Sequence, residues 1–218
     1  MSKFFRNNGL SIVFVLLFIL SIAGQIFFGI KEYNKDLEDY GKPPITIINY
    51  FTTGHFLEST FENWESEFLQ MGLFVWLAIF LKQKGSSESK KFDGTDEVDK
   101  KPDPNKKDAP WPVKRGGIIL TLYQNSLTII LLLLFLISFY IHFYGSFKDE
   151  NEQLLLKGKS TISLQQYLTD SRFWFESFQN WQSEFLSIFA IIILSIYLRQ
   201  KGSPQSKPVD APHSKTGE

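Results

Sequence analysis

Apolar runs and polar stretches alternate along the chain, and the lengths of the runs set its class. Leu10 to Ile30 and Leu127 to Tyr144 contain no Asp, Glu, Lys or Arg. Two shorter runs, Phe68 to Leu81 and Phe185 to Leu198, each follow a polar segment. A hydrocarbon core of about 30 Å takes roughly 20 helical residues to cross, which the long runs reach. The shorter runs cover only about 21 Å at the helical rise per residue, so their helices must start earlier, inside the polar phrase ahead of them. The pattern predicts an all-α membrane protein with four transmembrane helices, at about 10–30, 64–82, 120–144 and 181–199.

The two halves repeat. Phe61 to Leu69 reads FENWESEFL and Phe178 to Leu186 reads FQNWQSEFL, with Trp64 and Trp181 separated by 117 positions. At the same offset Asn8 meets Asn125, Gly41-Lys42 meets Gly158-Lys159, Tyr50 meets Tyr167, and Thr52 meets Thr169. Leu81 to Ser86 likewise meets Leu198 to Ser203. A one-residue slip near Gly29 and Gly145 is the one interruption of this register. The expected architecture is therefore two tandem helical hairpins. Two spans per hairpin is an even number, so both hairpins enter from the same side and form parallel repeats.

Residues 1–85 form the first expected repeat, with a short interfacial helix at about 45–52, and 116–203 the second, with its counterpart at about 162–169. Thr46 and Ser163 are suited to cap these short helices. Residues 86–115, dense in charge and containing Lys101-Pro102-Asp103-Pro104, read as a disordered cytoplasmic linker. Residues 204–218 read as a disordered tail. Gly85 and Gly202 follow the second and fourth spans as helix stops.

Charge sets the orientation. Lys3 and Arg6 precede the first run, Lys82, Lys84, Lys90, Lys91, Lys114 and Arg115 lie around the linker, and Arg199, Lys201 and Lys207 follow the last span. The hairpin loops carry fewer cations, so both termini and the linker are expected in the cytoplasm, in a multi-pass protein of the cell membrane. Ser21-Ile22-Ala23 has the small-x-small pattern of a signal-peptidase site. Its apolar run is matched mid-chain by Leu127 to Tyr144, and it is read as a retained span.

Composition narrows the chemistry. The 218 residues carry no net charge, no cysteine and three scattered histidines, with aromatic content at 16%. Disulfides and thiolate catalysis are excluded, and no metal or cofactor site is expected. Basic residues interleaved with acids argue against nucleic acid as a partner. No nucleophile, phosphate-binding or dinucleotide motif appears, so no catalytic residue is assigned and an enzyme is not expected. The expected partner is the lipid bilayer, with another membrane protein or a second copy as candidates.

The repeated phrase supplies the candidate site. Asn63 and Glu67 are four residues apart on one helix face, as are Asn180 and Glu184. Trp64 and Trp181 are expected as anchors in the outer aromatic belt. Ionisable groups in a spanning helix are costly and face an interior or a cavity, so Glu67 and Glu184 form a candidate functional pair holding a proton or a cation. The competing reading hydrates them at headgroup depth or pairs them locally, with His55 and Arg172, a matched pair, as candidate partners. Gln25 and His142 are single polar residues suited to hydrogen bonding between helices.

PWPVKRGG at Pro110 to Gly117, the stretch Arg172 to Leu186, and the tail from Gly202 to His213 resemble an uncharacterised family of bacterial membrane proteins. The resemblance implies four spans in a bacterial cell membrane and contributes no catalytic residue. In the first half Arg172-Phe173-Trp174 is replaced by His55-Phe56-Leu57, so any role for it belongs to one half. The reading is a non-enzymatic membrane protein with structural or partner-binding work at the outer interface. The alternative is a small transporter or an ion- or proton-conducting protein that uses Glu67 and Glu184.

Overall fold

A computed structural model describes residues 3–217, so residues 1–2 of the first expected repeat and residue 218 of the tail lie outside the described residues. Among the described residues there is no strand. The helices are α1 (Lys3–Asp39), α2 (Ile47–Tyr50), α3 (Gly54–Leu77), α4 (Trp111–Arg115), α5 (Gly117–Gln124), α6 (Ser126–Leu156), α7 (Leu164–Tyr167) and α8 (Ser171–Tyr197), with a 3₁₀ turn at Glu97–Asp99. Three of them, α1, α6 and α8, are long and apolar enough to cross a membrane.

The helix ends differ from those expected, each for a local reason. α3 starts at Gly54 and stops at Leu77, short of the apolar residues up to Leu81. Glu62, Glu65 and Glu67 fall near its middle, whereas the acidic residues of α1 gather at its C-terminal end. The third expected span, at about 120–144, is broken between α5 and α6. There Asn125 donates from Nδ2 to the Thr121 carbonyl at 2.8 Å, and the Ser126 hydroxyl donates to the Tyr123 carbonyl at 2.8 Å. Side chains that bond back to the preceding turn compete with the helical ladder. Gly85 and Gly202 do adopt left-handed backbone, with φ of 88° and 85°, but each lies several residues past its helix end.

The chain packs as two compact units, and each draws on both halves of the sequence. The first comprises Met1–Phe61 with Tyr140–Phe173, the second Glu62–Phe139 with Trp174–Glu218.

In the first unit Tyr33, Leu37 and Tyr50 form a small core with Ile30, Ile45, Phe56 and Leu156 against it. Asn34 grips the chain ahead of α2: its Oδ1 accepts from the Ile45 amide at 2.8 Å and its Nδ2 donates to the Ile45 carbonyl at 3.1 Å. Asn151 grips Ile162 in the same way, at 2.8 and 3.3 Å. Thr46 caps α2 and Ser163 caps α7, so the two short helices begin alike. α3 and α6 touch backbone to backbone. A Cβ on Gly54 would sit 2.2 Å from the Asp149 amide nitrogen, and one on Gly145 would sit 2.6 Å from that of Glu58. Only glycine permits this approach. Gln25 of α1 donates to the Thr60 hydroxyl of α3 at 3.0 Å, the inter-helix bond its position suggests.

The second unit holds the segments expected to be disordered. Residues 86–115 form turns, the 3₁₀ turn and α4. The tail folds back on the end of α3 and α8 because Lys207 organises it. Its buried ammonium donates to the carbonyls of Gly85, Pro212, His213 and Lys215. Burial, then Arg199 and Lys215, push this lysine below its usual pKa. Thr216 accepts from the Gly85 amide at 2.9 Å and Gly217 donates to the Ser86 carbonyl at 3.0 Å. A composition rich in charge and proline hides such a cage, because its acceptors are main-chain carbonyls.

Candidate functional site

Glu67 on α3 and Glu184 on α8, both in the second unit, lie close enough for each carboxyl group to feel the other's charge. Glu184 is half-buried and Glu67 exposed. Asn63 and Asn180, one turn earlier, divide likewise: Asn63 is exposed and Asn180 half-buried. The serines of the phrase bond back identically, Ser66 to the Asn63 carbonyl at 2.9 Å and Ser183 to the Asn180 carbonyl at 2.8 Å.

Trp181, expected as a belt anchor, makes a specific polar bond. Its indole Nε1 donates to Glu65 Oε1 at 3.1 Å, while Phe178 packs against its ring edge-on at 5.3 Å. Glu65 is fully buried. Trp64 is half-buried.

His55 and Arg172, the suggested glutamate partners, are engaged within the first unit. His55 Nδ1 lies 2.9 Å from the Tyr50 hydroxyl. Arg172 donates to Glu58 at 2.8 Å, to Glu150 at 2.8 Å and to Asp149 at 3.1 Å. Glu58 and Asp149 are themselves buried. Arg172 is thus the cation on which three carboxylates converge, a charge-assisted geometry suited to holding the junction of α3, α6 and α8. Beside it Tyr33 donates to Glu152 at 3.1 Å. Burial, then the charges of Glu32 and Asp149, push the Tyr50 phenol up to about 12.

A family model described as a domain of unknown function, DUF6766, matches residues 1–218. The chain belongs to that family. No curated protein and no solved structure matches it. The family description assigns no activity, so the chemistry of this DUF6766 protein rests on its side chains.

Two features escaped the sequence reading. Glu65 is one: its counterpart 117 positions on is Gln182, so it lay outside the repeated pair that drew attention. The Arg172 cluster is the other. Arg172 stands opposite His55 in the repeat, and Glu58 stands opposite Phe175. The available signal was that both halves depart from the repeat with opposite charges, which is how one half comes to complete the other.

Proposed function

We propose that this DUF6766 protein is a non-enzymatic, multi-pass protein of the bacterial cell membrane that moves protons or a small cation through the carboxyl pair Glu67–Glu184. The observation that carries the reading is the proximity of those two carboxyl groups on neighbouring helices of one unit. A pair of this kind exchanges a proton, or releases it to a cation, as its surroundings alternate. Both members sit at the same place in the repeated phrase, on α3 and α8.

In this reading the chain is a tandem duplication of a two-span hairpin, supported by the matched clamps of Asn34 and Asn151. α3 with the residues up to Leu81 supplies the crossing that complements α1, α6 and α8. Both termini and the segment joining the hairpins face the cytoplasm, by the distribution of Lys and Arg. Arg172 and its carboxylates act as a fixed structural knot, since the guanidinium already holds all three.

The test is flux from proteoliposomes carrying a pH-sensitive dye. The protein is expected to dissipate a proton gradient, and Glu67→Gln with Glu184→Gln to abolish that flux while leaving the protein folded. Flux unchanged by the double substitution overturns the assignment of the pair. A second reading, partner binding by another membrane protein or a second copy, is favoured by the exposure of Asn63 and Glu67. No flux from correctly folded protein would leave that reading in its place.

A further inference from the structure

The second unit contains a cavity of about 650 Å³ walled by α3 and α8, with Leu73, Leu77, Ile188, Phe189 and Ile192 among its apolar lining. Gln70 also lines it. That side chain is 8% exposed and makes no hydrogen bond among the described residues. A carboxamide offers two donor hydrogens and an acceptor oxygen. The residue is otherwise buried, so its amide is open to a partner only where it reaches the cavity surface.

Water fits this place poorly. An ordered water needs two to four polar partners, and the walls of α3 and α8 beside Gln70 are the apolar Leu73, Leu77, Ile188, Phe189 and Ile192. The polar rim does not compete for the missing partner. Lys82 donates to the Lys91 carbonyl, the Gln83 amide donates to Ser89, and Ser86 is bonded to Ser195 at 3.0 Å. Lys82 and Glu88 on that rim offset one another in formal charge. An anionic head group is disfavoured at the Gln70 end as well, because Glu67 lies one helical turn away on the same helix.

We propose that this cavity binds a neutral, long-chain membrane lipid that places a single hydroxyl or carbonyl group on the Gln70 amide and its hydrocarbon body along α3 and α8. The ligand completes a polar group the fold leaves open and fills space that would otherwise cost packing. The site is independent of proton movement, so it survives if the carboxyl pair carries no flux.

The experiment uses the full chain in lipid nanodiscs and three matched photoactivatable C16 probes: a fatty alcohol, an alkane and a fatty acid. Crosslinks are mapped by peptide mass spectrometry. The alcohol is expected to label residues 70–81 and 185–193 roughly fivefold more than the alkane, the ratio one neutral hydrogen bond sustains. Unlabelled hexadecan-1-ol should compete. Gln70→Leu should remove the preference for the alcohol while leaving alkane labelling in place. Ile188→Trp, which fills the cavity and spares Gln70, should lower labelling by both and serves as the second variant if Gln70→Leu fails to fold. Equal labelling by alcohol and alkane overturns the proposal, as does alcohol labelling spread evenly over α1. Stronger labelling by the fatty acid overturns the neutral head group. The double substitution Glu67→Gln with Glu184→Gln, decisive for flux, should leave the alcohol's preference intact.

Discussion

Tyr50 and Tyr167 occupy the same position in the two halves, both fully buried at the ends of single-turn helices, yet their hydroxyls are satisfied differently. Tyr167 bonds to the hydroxyl of Ser146. At the equivalent of Ser146 the first half has Gly29, where a Cβ would lie 2.3 Å from the Tyr50 hydroxyl oxygen, and Tyr50 turns to His55 instead. Ser146 follows Gly29 by the same 117 positions as every other matched pair, so the register does not slip here. Gly145, which suggested a slip, answers to Phe28 and is glycine for its own reason, the contact with the backbone of α3. The clamps and caps at matched positions, Asn34 with Asn151 and Thr46 with Ser163, are alike in both halves. The polar groups that complete this duplicated frame are where the halves have diverged.

That contrast can be broken most severely at Arg172. Arg172→His gives the second half the residue of the first and leaves Glu58, Asp149 and Glu150 without their shared guanidinium. Stranding buried carboxylates costs about 3–5 kcal/mol, so the variant should unfold far below wild type in a thermal melt in detergent at pH 8. A melt within a degree or two of wild type would show that the cluster is hydrated and dispensable.

Gly54→Ser makes the converse exchange, since Ser171 is its counterpart. With the Asp149 amide nitrogen 2.2 Å from the new Cβ, the α3 and α6 backbones must separate. A loss of roughly 3 kcal/mol is expected. Gly41→Ala, where no atom lies within 4 Å of the added carbon, supplies a control limited to backbone strain at its φ of 67°.

How much of this was legible in the sequence follows the same division. Period and length read out the helical class and the long apolar helices, because those depend on composition alone. Thr46 and Ser163 were readable as caps because a hydroxyl before an apolar turn acts locally. The proximity of Glu67 and Glu184 follows from their matching places in the two phrases. Other features were closed to such reasoning. The Arg172 knot joins residues more than a hundred positions apart, and it is built from mismatches that a search for likeness discards. The tail's cage uses carbonyls, which every residue has, and so left only Lys207 as a clue. The break at Asn125 lay inside an expected span whose mean hydropathy is blind to one side chain bonding backwards.

The two tyrosines also separate under alkaline titration. Tyr50 ionises near pH 10 when unfolded and at about 12 in place. The folded state therefore holds this proton more tightly, its contribution is full below pH 10, and it is lost as pH rises through 12. The loss amounts to roughly 2 kcal/mol at the top of that window. Subtracting the melts of Tyr50→Phe from wild type across pH 9 to 12 should isolate it, and a flat difference would place the phenol in contact with solvent.

The smallest effect distinguishes the two short helices themselves. Ser163 accepts from the Gln166 amide at 3.3 Å, and the Gln166 side chain accepts from the Ser163 amide at 2.8 Å, a reciprocal box. In the first half Asn49 stands where Gln166 does, one methylene shorter. Thr46 accepts from its amide at 3.4 Å, and the return bond is not made among the described residues. Ser163→Ala should therefore cost about 1 kcal/mol and Thr46→Ala about half of that. Asn49→Gln, which supplies the missing methylene, should raise stability by a few tenths of a kcal/mol in wild type and by nothing in Thr46→Gly. A gain that persists without the Thr46 side chain would mean that the lengthened amide bonds elsewhere, and that the difference between the two helices does not lie in its reach.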